Sequence, residues 1–176
     1  VDAADQFRIV ENDVDAYDYE IGGDYAFVPG FGTLKLIGLK RFEHKPLSSL
    51  VRTEFEDGAQ AVGNLFTRDS DIAEQILRAE YGWNAGPAEW QVAIESAFNS
   101  LENVSALYTL TPDGTFDENP LPGGSATVEE ERYEAMASWS RSLGDRFSMQ
   151  VSFGGEYSEV AQVGAGGITR EFWRPK

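Results

Sequence analysis

Residues with the chemistry to bind or react are scattered along this chain, and their spacing limits what they can do. Asp113, Asp117 and Glu118 in PDGTFDEN put hard oxygen ligands at short intervals, as a calcium ion requires. Their spacing departs from the EF-hand pattern and lacks its distal Glu, so the segment reads as an acidic, solvated loop, and Asp69 and Asp71 read the same way. The carboxylate pairs Glu74/Glu80 and Asp18/Glu20 have the side chains for acid and base roles. Even spacing on a strand lines such pairs along one wall, where they face water and where Arg78 is at hand to pair with them. The single histidine, His44, stands beside Lys45-Pro46 and reads as an exposed residue at a strand end. Cysteine is absent, which excludes disulfides and thiol chemistry, and one histidine excludes most histidine-based metal sites. Gly164, Gly166 and Gly167 precede no helical pattern and read as a turn rather than a phosphate cradle. Asn103-Val104-Ser105 matches a glycosylation sequon only as a short motif. With no nucleophile motif besides, the expectation is no enzymatic activity, no catalytic residue, no cofactor and no metal site.

Composition narrows the class further. The 176 residues suffice for one domain with its own core. The 14 basic and 30 acidic residues give a net charge of −16, which argues against nucleic acid as a partner. No run approaches the ~18 apolar residues of a membrane helix, and nothing at Val1 resembles a signal peptide. A barrel strand, by contrast, crosses lipid with ~9 to 11 residues and shows half of them to water, so a barrel can look hydrophilic on average. The 11 Phe, 7 Tyr, 4 Trp and 18 Gly, with little helical periodicity, favour an all-β chain.

The elements that position these residues centre on a long hairpin within 72–110. On its incoming arm Leu77, Ala79, Tyr81 and Trp83 alternate with Glu74, Arg78 and Glu80. On its outgoing arm Trp90, Val92, Ile94 and Phe98 alternate with Gln91, Glu95 and Asn99, and a turn at 84–88 joins the two. Alternation also predicts strands from Tyr17 to Phe27, over 32–44 with Leu34, Leu36, Gly38 and Phe42 outward, and over Phe147 to Tyr157. Further strands are expected around Phe7 to Val10, over 128–143 and from 168. Pro, Gly, Ser and Asp mark long loops at 46–70, with room for a short helix or a strand extension around Leu50 to Phe55, and at 111–127, opposite short turns near 29–32, 86–88 and 144–145. Phe27 and Phe31, Trp83 and Trp90, Trp139 and Phe147 flank those short turns, the placement of aromatics at a membrane interface.

GTLKLIGLKRFE at 32–43, AEYGWNAGPAEWQVAIESAFNSLEN at 79–103 and ITREFWRPK at 168–176 resemble barrel strands of TonB-dependent outer-membrane receptors. The resemblance implies a bacterial outer-membrane location and uptake of a scarce ligand such as a ferric siderophore. It also implies a plug and an inner-membrane energy-coupling protein as partners, with lipid around the barrel. The plug and its coupling box are not in this sequence. The fold expectation is all-β: an antiparallel up-and-down meander of about seven or eight strands, residues 1–176 forming one segment of a transmembrane β-barrel. Family barrels have about 22 strands, so the remainder would lie in other segments. The long acidic loops would face outside and suit a cationic or metal-bearing ligand.

Two alternatives remain open: a soluble all-β binding or adhesion domain that buries the aromatic stripes in a sandwich, and a complete eight-stranded barrel. The ending Arg174-Pro175-Lys176 speaks against the latter, since Pro interrupts a central ladder.

Overall fold

The computed structural model describes residues 5–144, 146–164 and 167–176. Strands fill them: β1 Gln6–Val14, β2 Tyr17–Phe27, β3 Gly32–His44, β4 Leu47–Phe55, β5 Val62–Ala85, β6 Ala88–Leu110, β7 Phe116–Asn119, β8 Ser125–Gly144, β9 Phe147–Val163 and β10 Thr169–Pro175. Among the described residues no helix forms, as the aromatic and alternating sequence leads one to expect. All ten strands belong to one sheet. Its main path runs β1-β4-β5-β6-β8-β9-β10; β2 pairs β3, β3 also pairs β5, and β7 pairs β6. The sheet is an antiparallel, meander-like array that does not close, consistent with part of a barrel.

Two local chemistries explain the layout. Pro46 has no N–H to give a ladder, and the chain breaks there between β3 and β4. The partner chain breaks opposite it, at Asp15-Ala16. The β1–β4 register, Val14 opposite Leu47, carries on past this break to Tyr17 against His44, so no residue is inserted. Gly86, at φ +61, supplies the left-handed turn that joins β5 to β6 across Gly86-Pro87.

Much of the two expected loops is strand, and the extension allowed around Leu50 to Phe55 is part of a longer one. Most of 46–70 is β4 and the start of β5, joined through 56–61, with Leu47 opposite Arg68 and Thr53 opposite Val62. β4 has partners on both edges, β1 and β5, which satisfies its backbone, and its period-2 pattern is weak because Ser49 and Thr53 stand among Leu47, Val51 and Phe55 while Leu50 joins Arg52 and Glu54. In 111–127, Phe116–Asn119 folds back as β7 onto Leu107–Leu110, and β8 begins at Ser125. The strand expected around Phe7 to Val10 extends over the whole of β1. Asp145 and Gly166, named in the expected turns, lie outside the described residues.

Pro175 does not stop β10. Gly154 and Lys176 exchange both backbone hydrogen bonds, at 2.8 and 2.9 Å, which leaves Pro175 at the neighbouring position whose nitrogen points away from β9. Such a residue is tolerated because β10 is an end strand of the sheet order.

The chain divides into two compact units: 1–18, 43–72 and 101–127 form one, and 19–42, 73–100 and 128–176 the other. β5 and β6 contain 24 and 23 residues, over twice what crosses a bilayer.

Candidate functional site

In the second unit β5, β6 and β9 alternate apolar with polar or charged residues, whereas β10 mixes them, Phe172 sharing a face with Arg170 and Arg174 and Trp173 with Glu171. Leu36, Leu77, Ile94, Tyr133, Tyr157 and Trp173 come from six strands and line an apolar groove of about 790 Å³. No large side chain among the described residues is fully buried, and Ile94 is 63% exposed and Trp173 76%. The small residues Ala79, Ala135 and Gly155 make the groove's floor possible, since larger side chains there would fill it.

At the short-turn end of this unit the aromatics meet. Trp83 and Trp90 stack across the hairpin with ring centroids 6.2 Å apart and planes 9° from parallel. Tyr81 stacks on Trp83 at 5.5 Å, and Phe31, in the turn before β3, meets the Tyr81 ring edge-on at 6.1 Å. Phe27 stacks on Tyr25 at 5.7 Å. Trp139 is half-buried on β8, and Phe147 is exposed at the start of β9. Phe27 and Phe147 stand at strand ends, Trp83 and Trp90 two residues from theirs and Phe31 in a turn, whereas Trp139 lies five residues inside β8. Four of the rings form one cluster only because Gly32 lets two strands approach: a Cβ there would lie 2.6 Å from the Gly82 carbonyl oxygen and from the Tyr81 ring.

The opposite face carries ion pairs that step across strands. Arg78 Nε donates to Glu80 at 2.6 Å and Arg78 Nη1 to Glu95 at 3.2 Å, while Arg132 Nη2 reaches the other Glu95 oxygen at 3.1 Å. Glu95 thus ties β5 to β8 through β6. Further along, Lys176 donates to Glu134 and, at 2.7 Å, to Glu156, which also faces Arg174 at 3.4 Å across the β9–β10 pair. Asn99 donates to Glu130 at 2.9 Å. The Arg78–Glu80 pairing expected from even spacing is present; Glu95 as the bridging residue emerges only from the strand register.

In the first unit a second group assembles that sequence spacing did not show. His44 Nδ1 lies 2.6 Å from Asp71 Oδ1 and 3.4 Å from Asp69 Oδ1, and Tyr17 packs on the imidazole at 5.1 Å. The hydrogen bond to Asp71 holds the imidazole pKa above its usual value; burial opposes it, and the charges of Asp69, Asp71 and Asp15 add to the rise. His44 is therefore half-buried among these groups, not the exposed residue of its sequence reading. The signal lay in the β4–β5 register: extending Leu47 opposite Arg68 by three residues places His44 opposite Asp71.

The remaining candidates do not converge on a ligand position. Asp113 accepts hydrogen bonds from the Thr111 and Thr115 hydroxyls and the Thr115 amide, closing its own turn, and these donors hold its carboxyl below the usual range. Asp117 and Glu118 sit on β7 opposite Thr109 and Tyr108. Asn103 accepts from the Ser70 hydroxyl within β6, so the sequon is in a strand. Gly167 N–H donates to the Gly164 carbonyl at 3.0 Å.

Comparison with known proteins finds likeness to solved structures alone. No protein-family model matches it, and no curated sequence does. Among solved structures it is similar to the ferric citrate transporter FecA in its unliganded form, with 15% identity and a TM-score of 0.41 over 82% of this chain and 24% of that one. It is also similar to BauA, the ferric preacinetobactin receptor of Acinetobacter baumannii, with 10% identity and a TM-score of 0.38 over 93% of this chain and 37% of that one. The chain thus spans about a quarter to two fifths of the length of these structures.

Proposed function

We propose that the chain is a segment of a bacterial outer-membrane receptor barrel that serves TonB-dependent uptake of a scarce ligand, such as a ferric siderophore, without chemistry on that ligand. The observation that carries this reading is the aromatic-rich apolar face of the second unit, which the described residues leave uncovered while the opposite face is ion-paired. Contiguous exposed apolar surface on this scale calls for lipid or a partner, and aromatic rings gathered at strand ends suit a lipid interface. Residues 1–176 would then be one barrel segment, completed by the rest of the barrel and a plug, and coupled to an inner-membrane energy-coupling protein. Phe27, Phe31, Trp83, Trp90, Trp139 and Phe147 would anchor the short-turn end at the membrane surface. The segment 111–124, with β7 folded into it, would face outside and contribute to ligand capture; the acidic character of Asp113, Asp117 and Glu118 suits a cationic or metal-bearing ligand.

The test is fractionation of the parent protein together with growth of a deletion strain. The expected result is recovery in the outer membrane, release only by detergent, and impaired growth on one limiting iron, cobalamin or glycan source. A parent protein that stays aqueous and monomeric without detergent would return the reading to a soluble all-β binding domain. Normal growth on every source would remove the uptake function while leaving the barrel.

A further inference from the structure

We propose that His44, Asp69 and Asp71 bind one divalent transition-metal ion of the zinc class. This goes beyond the uptake reading and does not depend on it. The donor set is one imidazole nitrogen and two carboxylate oxygens, all within 4.8 Å of one another. Zinc and its neighbours take such mixed N/O sets, whereas calcium and magnesium prefer oxygen alone.

The distances suit the ion. Donors bonded at ~2.1 Å in a tetrahedral shell lie roughly 3.4 Å apart. His44 Nδ1 and Asp69 Oδ1 are at 3.4 Å already. Nδ1 and Asp71 Oδ1, at 2.6 Å, share a proton that the metal would displace, and they need to part by less than ~1 Å.

The backbone holds the set in place. Asp69 and Asp71 are two apart on β5 and so share a face. Ser70 between them is buried, its hydroxyl bonded to Asn103 and its carbonyl to the Lys45 amide at 2.8 Å, which pins the end of β3 to β5. A bare His44–Asp71 ion pair leaves much unexplained. Asp69 brings a second carboxylate to the same imidazole, and a divalent ion balances that pair of carboxylates. Beside the donors lies a hollow of about 400 Å³ bordered by Asp13, Asp15, Asp69, Ser48 and Tyr108, with Arg68 its one cation. It leaves room for water or an added ligand to complete the coordination sphere of an open site.

The test uses the purified full chain in detergent, freed of metal by a chelator and titrated with Zn²⁺ alone. Because His44 is the only histidine, its imidazole resonances report directly on the site. The expected result is one ion per chain, a shift of those resonances on binding, and affinity at least about tenfold weaker in His44→Ala, Asp69→Asn and Asp71→Asn. Glu54→Gln, on β4 and paired with Arg52, should bind as the parent does. Should His44→Ala fail to fold, Asp69→Asn carries the same test, since that side chain is 59% exposed. Absence of saturable one-to-one binding, undiminished affinity in the ligand variants, or Ca²⁺ bound as tightly as Zn²⁺ would overturn the proposal.

Discussion

Replacing Ile94 by arginine separates lipid from water as the solvent of the apolar face. Ile94 lies on β6 in the alternation of Trp90, Val92 and Phe98, borders the apolar groove, and is 63% exposed in the chain itself. Protein atoms therefore cover little of it, and the effect of a charge depends on what lies outside. If that is water, the substitution resembles other surface changes and falls within about ±0.5 kcal/mol. If it is the hydrocarbon core, arginine there costs about 2–4 kcal/mol at the midplane. With each ~1.4 kcal/mol worth tenfold, the folding equilibrium would shift by roughly 30- to 1000-fold. The assay is urea unfolding of the chain in lipid bilayers, followed by tryptophan emission. Val104→Arg is the control: Val104 is also an exposed apolar residue of β6, in the unit that holds Asp69, and should stay within about 0.5 kcal/mol of the parent. An unchanged Ile94→Arg variant, or an equal loss at both positions, would refute the reasoning.

Other outcomes follow from named contacts. Glu95→Ala strands the half-buried Arg78 and Arg132, and should cost about 1–3 kcal/mol, between a surface and a buried pair, measured by denaturant unfolding; combining it with Arg78→Ala should recover part of that loss. Gly32→Ala drives a methyl into the Gly82 carbonyl and the Tyr81 ring, and should cost about 1–3 kcal/mol and weaken the near-ultraviolet circular dichroism of the Trp83–Trp90 stack. Thr111→Ala removes the first donor to Asp113, so the carboxyl pKa should rise toward its ordinary value in an NMR titration. Because the folded-state pKa of Asp113 is depressed, its stabilising contribution is present above the unfolded value and lost as pH falls through the folded one; in the variant that acid-side loss should shrink.

How much the sequence disclosed depended on whether one face of a strand was uniform. β2, the central hairpin and β9 alternate apolar and polar residues, and their strands and faces could be read directly, as could the pairing of Arg78 with Glu80. β4, LSSLVRTEF, places serine, arginine and glutamate among its apolar residues, and its stability comes from hydrogen bonding on both edges. No side-chain period records that, so 46–70 looked like loop. The same gap hid the His44 cluster, because His44 and Asp71 are 27 residues apart and meet only once the β4 register is known. Glu95 as a bridge between two arginines likewise needed the β6–β8 pairing, which spans 37 residues between Glu95 and Arg132.

The most direct test of the central claim, that the apolar face meets lipid with the Trp83–Trp90 stack at the interface, is quenching of tryptophan emission by lipids brominated at known depths along the acyl chain. Two variants isolate the stack: one keeps Trp83 and Trp90 with the other tryptophans replaced by phenylalanine, and one replaces these two instead. The account expects the retained pair to be quenched most strongly by bromines nearest the headgroups, with blue-shifted emission. Emission that bromines at every depth leave unquenched, in chains recovered with the vesicles, would contradict it.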